Sequence, residues 1–166
     1  KKFWKELYRQ FMLPNKHISF NVHNLLSVYS NSKYLYIHFI NYNYYCKKID
    51  HKISWINGEF IISRPKKITN EDLDNKNIFI CSEEAFNKGL FARKWFNGDK
   101  ILTSNNQTKL ISNLFNEFKL LPFIRSIQPI IIQDDRVQWI PGVTIGRNNY
   151  LLDNNPIRIE WHETRE

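Results

Sequence analysis

The residues in this sequence whose chemistry stands out are cations placed around tight turns. Arg93 and Lys94 precede a turn at Gly98, Lys100 follows it, and Arg125 comes after a proline turn. Guanidinium and ammonium groups bind phosphate through charge-assisted hydrogen bonds, and a guanidinium can donate two of them in parallel. The arrangement therefore predicts non-covalent binding of a phosphate-rich partner. The full set of candidate binding residues is Lys47, Lys48, Arg93, Lys94, Lys100, Lys109, Lys119 and Arg125.

Two other groups of residues have the right types for catalysis or metal binding, but each has a simpler interpretation. Asp134 and Asp135 are adjacent carboxylates, a residue type that performs general acid–base catalysis. They lie between two apolar segments, where Asp commonly forms a turn, so the sequence favours a solvated hairpin turn. His38, Cys46 and His51 supply three candidate ligands, whereas a structural zinc takes four. We therefore expect neither a catalytic residue nor a metal site in this chain.

The sequence has no loop suited to binding a nucleotide cofactor. None of its 5 glycines is spaced as in G-x-G-x-x-G or G-x-x-x-x-G-K, the motifs whose backbone N–H groups hold phosphates. The S-G-G-x-D-S motif of pyrophosphate-loop ATPases is also missing. We expect no cofactor to bind this chain.

The distribution of charge indicates which classes of molecule could bind this chain. The 166 residues carry a formal net charge of +8, and the excess lies in residues 1–70, which have 12 Lys and Arg against 3 Asp and Glu. Residues 71–166 have 12 against 13, so any basic patch there must come from local clustering. Such a surplus favours nucleic acid or an anionic membrane as partner, although codon-driven use of Lys and Asn would also produce it. No apolar run approaches the roughly 18–20 residues of a membrane span, so we expect no membrane partner.

The cysteines indicate a reducing compartment. Cys46 and Cys81 are the two in the chain, and they lie far apart in the sequence. A secreted disulfide scaffold of this size usually has more, so the pair favours reduced thiols. We expect a cytoplasmic location, or the stroma or matrix of an organelle.

Hydrophobic periodicity predicts an α+β protein whose first domain spans residues 1–64. Two helices are expected there, over 1–12 and 19–29, followed by an antiparallel sheet. The dipeptide Asn57-Gly58 predicts a type I′ hairpin turn between the last two strands. The strands expected in this domain are 33–40, 48–56 and 59–63.

The polar segment 65–76 is expected to be a linker to a second domain, residues 77–166. The order β, β, α, β, β, β in that domain favours a compact α+β architecture. The helix expected there is 108–119, and the strands are 78–81, 90–95, 129–132, 137–140 and 156–161.

An ordered set of motifs over residues 89–145 carries a resemblance to a known family. The motifs are FARKWFNGDKI at 91–101, KLISNLF at 109–115, LPFIRSIQP at 121–129 and VQWIPG at 137–142. In this order they resemble the C-terminal domain of tRNA(Ile)-lysidine synthetases, with LPF where the family has P-P-W. Residues 1–64 are compatible with the preceding tRNA-contacting domain of that family.

The resemblance implies a role in tRNA modification and a sandwich-like α+β module similar to one in the phenylalanyl-tRNA synthetase β chain. Members of the family are ligases that adenylate the wobble cytidine of a CAU-anticodon tRNA(Ile) and attach lysine to it. Their C-terminal domains hold the tRNA, a role that falls here to the eight cations above. Their catalytic half has no counterpart in this chain, so ATP and Mg²⁺ are implied only for that domain, present in cis or in trans. The alternatives are a free-standing RNA-binding module and a protein-interaction domain, neither with a ligase role.

Overall fold

The computed structural model describes residue 5 and residues 18–22, 26–30, 35–39, 46–147 and 155–164. The chain divides into two compact units, Lys1–Asn43 and Tyr44–Glu166. The described part of the first unit is an antiparallel sheet in the order β1-β2-β3. Its strands are β1 (Ile18–Val22), β2 (Leu26–Ser30) and β3 (Leu35–Phe39).

The second helix predicted in the first unit is wrong, because Ile18–Val22 and Leu26–Ser30 pair as the antiparallel strands β1 and β2. Ile18 pairs with Ser30 and Val22 with Leu26. The segment ISFNV alternates apolar and polar residues with the period of two that is typical of a strand, and this signal outweighs the helical spacing further on. The strand predicted over 33–40 is confirmed as β3. The helix predicted over 1–12 lies outside the described residues except for Lys5, which is helical.

The second unit contains short helices and strands. Its helices are α1 (Asn70–Asp74), α2 (Glu83–Lys88), α3 (Ile111–Glu117) and α4 (Pro122–Ile127). The strands of the first half are β4 (Lys47–Lys48), β5 (Ile53–Trp55), β6 (Gly58–Ser63), β7 (Ile78–Ser82) and β8 (Phe91–Lys94). Those of the second half are β9 (Lys100–Leu102), β10 (Thr108–Leu110), β11 (Pro129–Gln133), β12 (Arg136–Ile140), β13 (Thr144–Ile145) and β14 (Pro156–Glu163).

These strands form two sheets in the described part of the unit. The larger has the order β10-β9-β12-β11-β8-β4, with β13 paired to β12, and the smaller has the order β5-β6-β14-β7. Strands β9 and β12 run parallel, at Val137 and Ile101, while the other pairs are antiparallel. The sheets thus bring strands from the two ends of the unit together.

Two hydrophobic cores make the unit a three-layer structure. The first lies between the sheets, where the ring of Phe79 from the smaller sheet stacks on Trp139 from the larger at 5.7 Å. The second lies between the larger sheet and α3, where Phe115 packs edge-on against Trp95 at 5.3 Å. The predicted α+β, sandwich-like fold class is therefore confirmed.

The observed division of the chain differs from the expected one. Strands β5 and β6, placed by sequence in the first domain, belong to the second unit, because β6 pairs with β14 from Ser63↔Arg158 to Gly58↔Glu163. The segment expected to be a linker, 65–76, contains α1, whose capping box joins Thr69 and Asp72. Polar composition suggested a flexible connection there, but this helix packs against β7.

The two hairpin turns β5–β6 and β11–β12 of the second unit differ in backbone conformation. Trp55 pairs with Gly58, so the β5–β6 loop is one residue earlier than predicted, and Gly58 does not have positive φ. A Cβ at Gly58 would lie 2.6 Å from the Trp161 ring, so this glycine allows close packing. Asp134 and Asp135 have φ of 48° and 59° at the two-residue β11–β12 connection. They form a type I′ turn, which confirms the hairpin interpretation.

The remaining elements of the second unit follow the predicted order with shifted bounds. The predicted helix 108–119 is shorter in the structure, because residues 108–110 pair with β9 as strand β10. Helices α2 and α4 fall in segments for which no helix was predicted. Among the described residues, helices are too short and too polar to cross a bilayer.

Candidate nucleic-acid interface

A groove of about 900 Å³ opens at one end of the larger sheet. Leu102 and Lys100 of β9 lie opposite Thr108 and Leu110 of β10, and paired residues share a face of the sheet. Ile101 between them points into the second core, so these four side chains point away from the helix layer. The groove is lined by Gly98, Asp99, Lys100, Leu102, Thr108, Gln133, Asp134, Asp135, Arg136, Val137, Gln138 and Arg147.

The smaller sheet leaves this end of the face uncovered. Leu102 is 42% exposed and Leu110 is 36% exposed, although both lie on sheet strands. A register shift between Ile131 and Ile132 lets Trp139 enter the first core while Val137 enters the second, and Gln138 between them lines the groove. The bulged strand thus adds a polar side chain to an open sheet face.

The groove combines cations with hydrogen-bonding and apolar groups. Lys100 and Arg136 are exposed, and neither has an ion-pair partner within the described ranges 46–147 and 155–164. The Arg147 guanidinium donates to the neutral side-chain oxygen of Asn106, and it forms no ion pair with the carboxylates of the described residues. Asp134 and Asp135 bring negative charge to the hairpin tip.

Arg93, a predicted binding residue, fixes the turn that forms one wall of the groove. Its two terminal nitrogens donate to both carboxylate oxygens of Asp99 at 2.8 and 2.9 Å, and Nη1 also donates to the Lys94 carbonyl. Burial would raise the pKa of Asp99, but the hydrogen bonds from Arg93 and from the Phe96 N–H hold it below its usual value. Arg93 is thus held by protein groups.

Arg125 closes the C-terminal end of α3. Its Nε donates to the Leu120 carbonyl at 2.7 Å and its Nη2 to the Phe115 carbonyl at 3.5 Å. Its own carbonyl accepts a hydrogen bond from the Trp95 indole at 2.6 Å. A cation at a helix C-terminus stabilises the free carbonyls there, so this guanidinium has a structural partner.

The predicted lysines separate into four places. Lys100 lines the groove, and Lys109 on the helix side of β10 forms an ion pair with Glu117 at 3.0 Å. Lys119 is exposed at the end of α3 with φ of 51°. Three others lie at the opposite end of the larger sheet, on β4 and β8: Lys47, Lys48 and Lys94.

These last three lysines form a second basic cluster, at the edge of β4. Lys47 pairs with Ala92 and Lys48 with Phe91, two and three residues before Lys94. All three are exposed, and Lys47 donates to the Ser54 carbonyl at 3.2 Å. The strand order places β11 and β12 between this edge and the groove strand β9, so the predicted cations do not converge on one site.

Arg136 and Arg147 are groove residues that the sequence analysis missed. Arg136 directly follows the Asp turn and could have been singled out as a cation at a hairpin tip. Arg147 is brought to the groove by a backbone hydrogen bond from its N–H to the Leu102 carbonyl and by the pairing of Gly146 with Thr103. The residues next to Arg147 in the sequence contain no pattern that predicts its contact with Leu102.

Neither a reactive cysteine nor a metal site is found among the described residues. Burial raises the pKa of the Cys81 thiol to about 12, which makes it a poor nucleophile. Of the three candidate ligands that the sequence offered without favouring a metal site, His38 is described by its backbone only, and Cys46 and His51 are exposed. Within the described residues, no three His, Cys, Asp or Glu side chains come together as a metal site.

Comparison with known proteins identifies the fold. No protein-family model matches the chain, and no curated protein matches it. The chain is similar to a solved structure described as "Crystal structure of TILS C-terminal domain", with a TM-score of 0.65 and 17% sequence identity. The match covers 74% of this chain and 98% of that one. This chain therefore contains the fold of the TilS C-terminal domain.

Proposed function

We propose that this chain binds and positions tRNA, and that it does so for lysidine formation at the wobble cytidine of tRNA(Ile). The observation that carries the proposal is the fold likeness, which spans 98% of the TilS C-terminal domain. TilS is the abbreviation for tRNA(Ile)-lysidine synthetase, the family that the motifs of residues 89–145 resemble. Because the motif order and the fold are separate observations, their agreement supports the same function.

The charge of the second unit supports a polyanionic partner. Several of its exposed cations have no carboxylate partner within the described residues: Lys48, Lys66, Lys67, Lys94, Lys100, Lys119 and Arg136. Cations left uncompensated in this way attract phosphate and release condensed counterions, which supplies sequence-independent affinity. In the groove they stand beside Gln138 and Thr108, which can donate hydrogen bonds to phosphate or ribose oxygens.

In this proposal the chain supplies binding and orientation, while chemistry belongs to a separate catalytic domain in cis or in trans. Adenylation of the cytidine requires ATP and Mg²⁺, and the sequence contains no phosphate-binding loop for them. The chain would hold the tRNA so that its anticodon loop reaches that domain. The corresponding location is the cytoplasm, or the stroma or matrix of an organelle.

The proposal is tested by titrating the chain with a CAU-anticodon tRNA(Ile) and with an unrelated tRNA at low and near-physiological salt. We expect tighter binding of tRNA(Ile), with a logarithm of affinity that falls linearly with the logarithm of salt concentration. Equal binding of both tRNAs at near-physiological salt would favour a free-standing RNA-binding module. Loss of all binding at that salt would contradict a tRNA function and favour a protein-interaction domain.

A matched pair of charge-reversal variants locates the interface. The double variant K100E/R136E reverses two groove cations, and K66E/K67E reverses two exposed lysines outside the groove lining. Both variants change the net charge equally, so a long-range field effect would weaken binding equally in the two. We expect the groove variant to lose at least about tenfold more affinity than the control, as direct phosphate contacts require.

A further inference from the structure

The most exposed large apolar side chain among the described residues is the ring of Phe96, at 60% exposure. Single apolar groups on a surface are common, so exposure alone assigns no role to the ring. What sets Phe96 apart is the way its backbone and one face of its ring are held.

The ring of Phe96 is fixed by the Arg93–Asp99 pair beneath it. The Phe96 N–H donates to the Asp99 carboxylate at 2.6 Å, and the Asp99 N–H donates back to the Phe96 carbonyl at 3.1 Å. The Arg93 guanidinium lies 4.8 Å from the centre of the Phe96 ring. Gly98, with φ of 94°, closes the turn. One face of the ring is therefore covered by a cation, and the other is presented to solvent at low conformational cost.

This turn is also one wall of the groove. Gly98, Asp99 and Lys100 line it, and hydrogen bonds between Phe96 and Asp99 join the residue that carries the ring to this wall. Lys94 precedes the ring and is exposed, and Lys100 follows it. A nucleic acid strand whose phosphates contact Lys100 would therefore lie next to the turn that carries the ring.

We propose that Phe96 is a stacking platform for an unpaired base of RNA, and that the groove beside it takes the phosphates of the same single-stranded segment. The proposal rests on the proposed RNA-binding function and names the part of the RNA that is bound. Aromatic side chains bind unstacked bases through their π faces with little sequence preference, whereas bases inside a duplex are already stacked. The ligand class is therefore a loop, bulge or single-stranded end.

The surroundings of Phe96 favour RNA over a protein partner. A protein interface is centred on a continuous apolar patch with charged groups at its rim. Phe96 instead stands between exposed Lys94 and exposed Asn97, with Lys100 beyond the turn. An isolated aromatic ring among cations complements a base and its phosphates.

The test compares Phe96 variants on single-stranded and duplex RNA. The probes are a labelled single-stranded RNA of about eight nucleotides and a blunt duplex of the same length, within the usual size range of a single-strand site. We expect F96L, which keeps an apolar side chain and removes the aromatic face, to weaken single-strand binding by about tenfold. Duplex binding should change less than about twofold, because duplex binding uses the cations alone. F96W should retain single-strand binding.

Phe118 supplies the matched control. It is 42% exposed and carries a cation over its ring, since the Lys76 ammonium lies 4.6 Å from the ring centre. It does not line the groove. F118L should therefore leave binding of both probes unchanged, and far-ultraviolet circular dichroism with thermal melting checks that both leucine variants remain folded.

The outcomes separate this inference from the proposed function. Unchanged single-strand binding by F96L, an equal loss on duplex and single strand, or an equal loss in F118L or F96W overturns the stacking role. In each of these cases the chain still binds RNA, so the proposed function stands. Failure of the unaltered chain to bind the single-stranded probe overturns the stacking role, and failure to bind tRNA as well overturns both.

Discussion

Arg93 and Asp99 form a two-point ion pair across a six-residue separation, with both side chains about 15% exposed. The pair closes the turn that carries Phe96 and that forms a wall of the groove. A guanidinium predicted from sequence to bind phosphate is therefore engaged with a carboxylate of its own chain. Its effect on RNA would act through the position of Phe96 and Lys100.

Substituting Arg93 by Lys should destabilise the protein by about 1–2 kcal/mol. Lysine keeps the charge but cannot donate two parallel hydrogen bonds, and this leaves the Asp99 carboxylate partly unsatisfied. The control K88A removes the exposed Lys88–Glu84 contact and should cost less than about 0.5 kcal/mol. Urea denaturation of both variants measures the difference. Equal costs would mean that the two-point geometry contributes nothing to stability.

Stability should fall at acid pH partly through Asp72. Hydrogen bonds from the Thr69 backbone and hydroxyl, and then from Arg158, lower the pKa of Asp72 to about 2 in the folded protein. A lowered folded pKa gives stability that is present above the unfolded value of 3.8 and is lost as pH falls toward 2. The free energy of unfolding of D72N should therefore lie below that of the unaltered protein at neutral pH, and the gap should shrink between pH 3.8 and about 2. A gap that stays constant through this window would contradict the assignment.

Two glycine-to-alanine variants distinguish close packing from backbone strain. At Gly58 a Cβ would lie 2.6 Å from the Trp161 ring, inside a buried sheet, so G58A should cost at least about 2 kcal/mol. At Gly98 a Cβ meets nothing within 4 Å, but φ is 94°, so G98A should cost about 1 kcal/mol from strain. Denaturant unfolding measures both values. A smaller loss for G58A than for G98A would mean that β6 and β14 separate readily.

Neutralising single lysines should sort binding residues from structural ones. K100Q should reduce the slope of log affinity for tRNA against log salt by about one, because one phosphate contact is removed. K109Q should leave the slope nearly unchanged, because the Lys109 ammonium is already paired with Glu117. Salt titrations of both variants supply the slopes. The groove assignment is contradicted if K109Q changes the slope as much as K100Q does.

Local pattern was enough to predict the strands and turns that pack with a regular period. Residues 129–132 and 137–140 are short apolar runs around an Asp-Asp turn, and they form β11 and β12 with that turn between them. The helix was predicted from the spacing of its apolar face, and that face, including Phe115, packs on the sheet. These features depend on residues close in sequence, so their signal is present in any short window.

The assignments that failed depend on pairing between distant segments. Residues 53–63 were predicted to belong to the first domain, yet β6 pairs with β14 about a hundred residues later, and the polar segment before β7 forms a capped helix. The groove also depends on pairing between segments that are distant in the sequence. Arg147 reaches it through a hydrogen bond to Leu102, and Gln138 reaches it through a bulge that breaks the alternation of β12.

The sequence by itself determined the α+β class, the hairpin turn at Asp134 and Asp135 and the excess of cations, because composition and periodicity follow from side-chain chemistry and backbone geometry. Only the tertiary structure decided which cations are free to bind. Arg93, Lys109 and Arg125 are held by protein groups, whereas Lys100 and Arg136 line an open face. Whether a cation meets a carboxylate, a carbonyl or solvent depends on long-range strand pairing, which side-chain spacing along the chain does not encode.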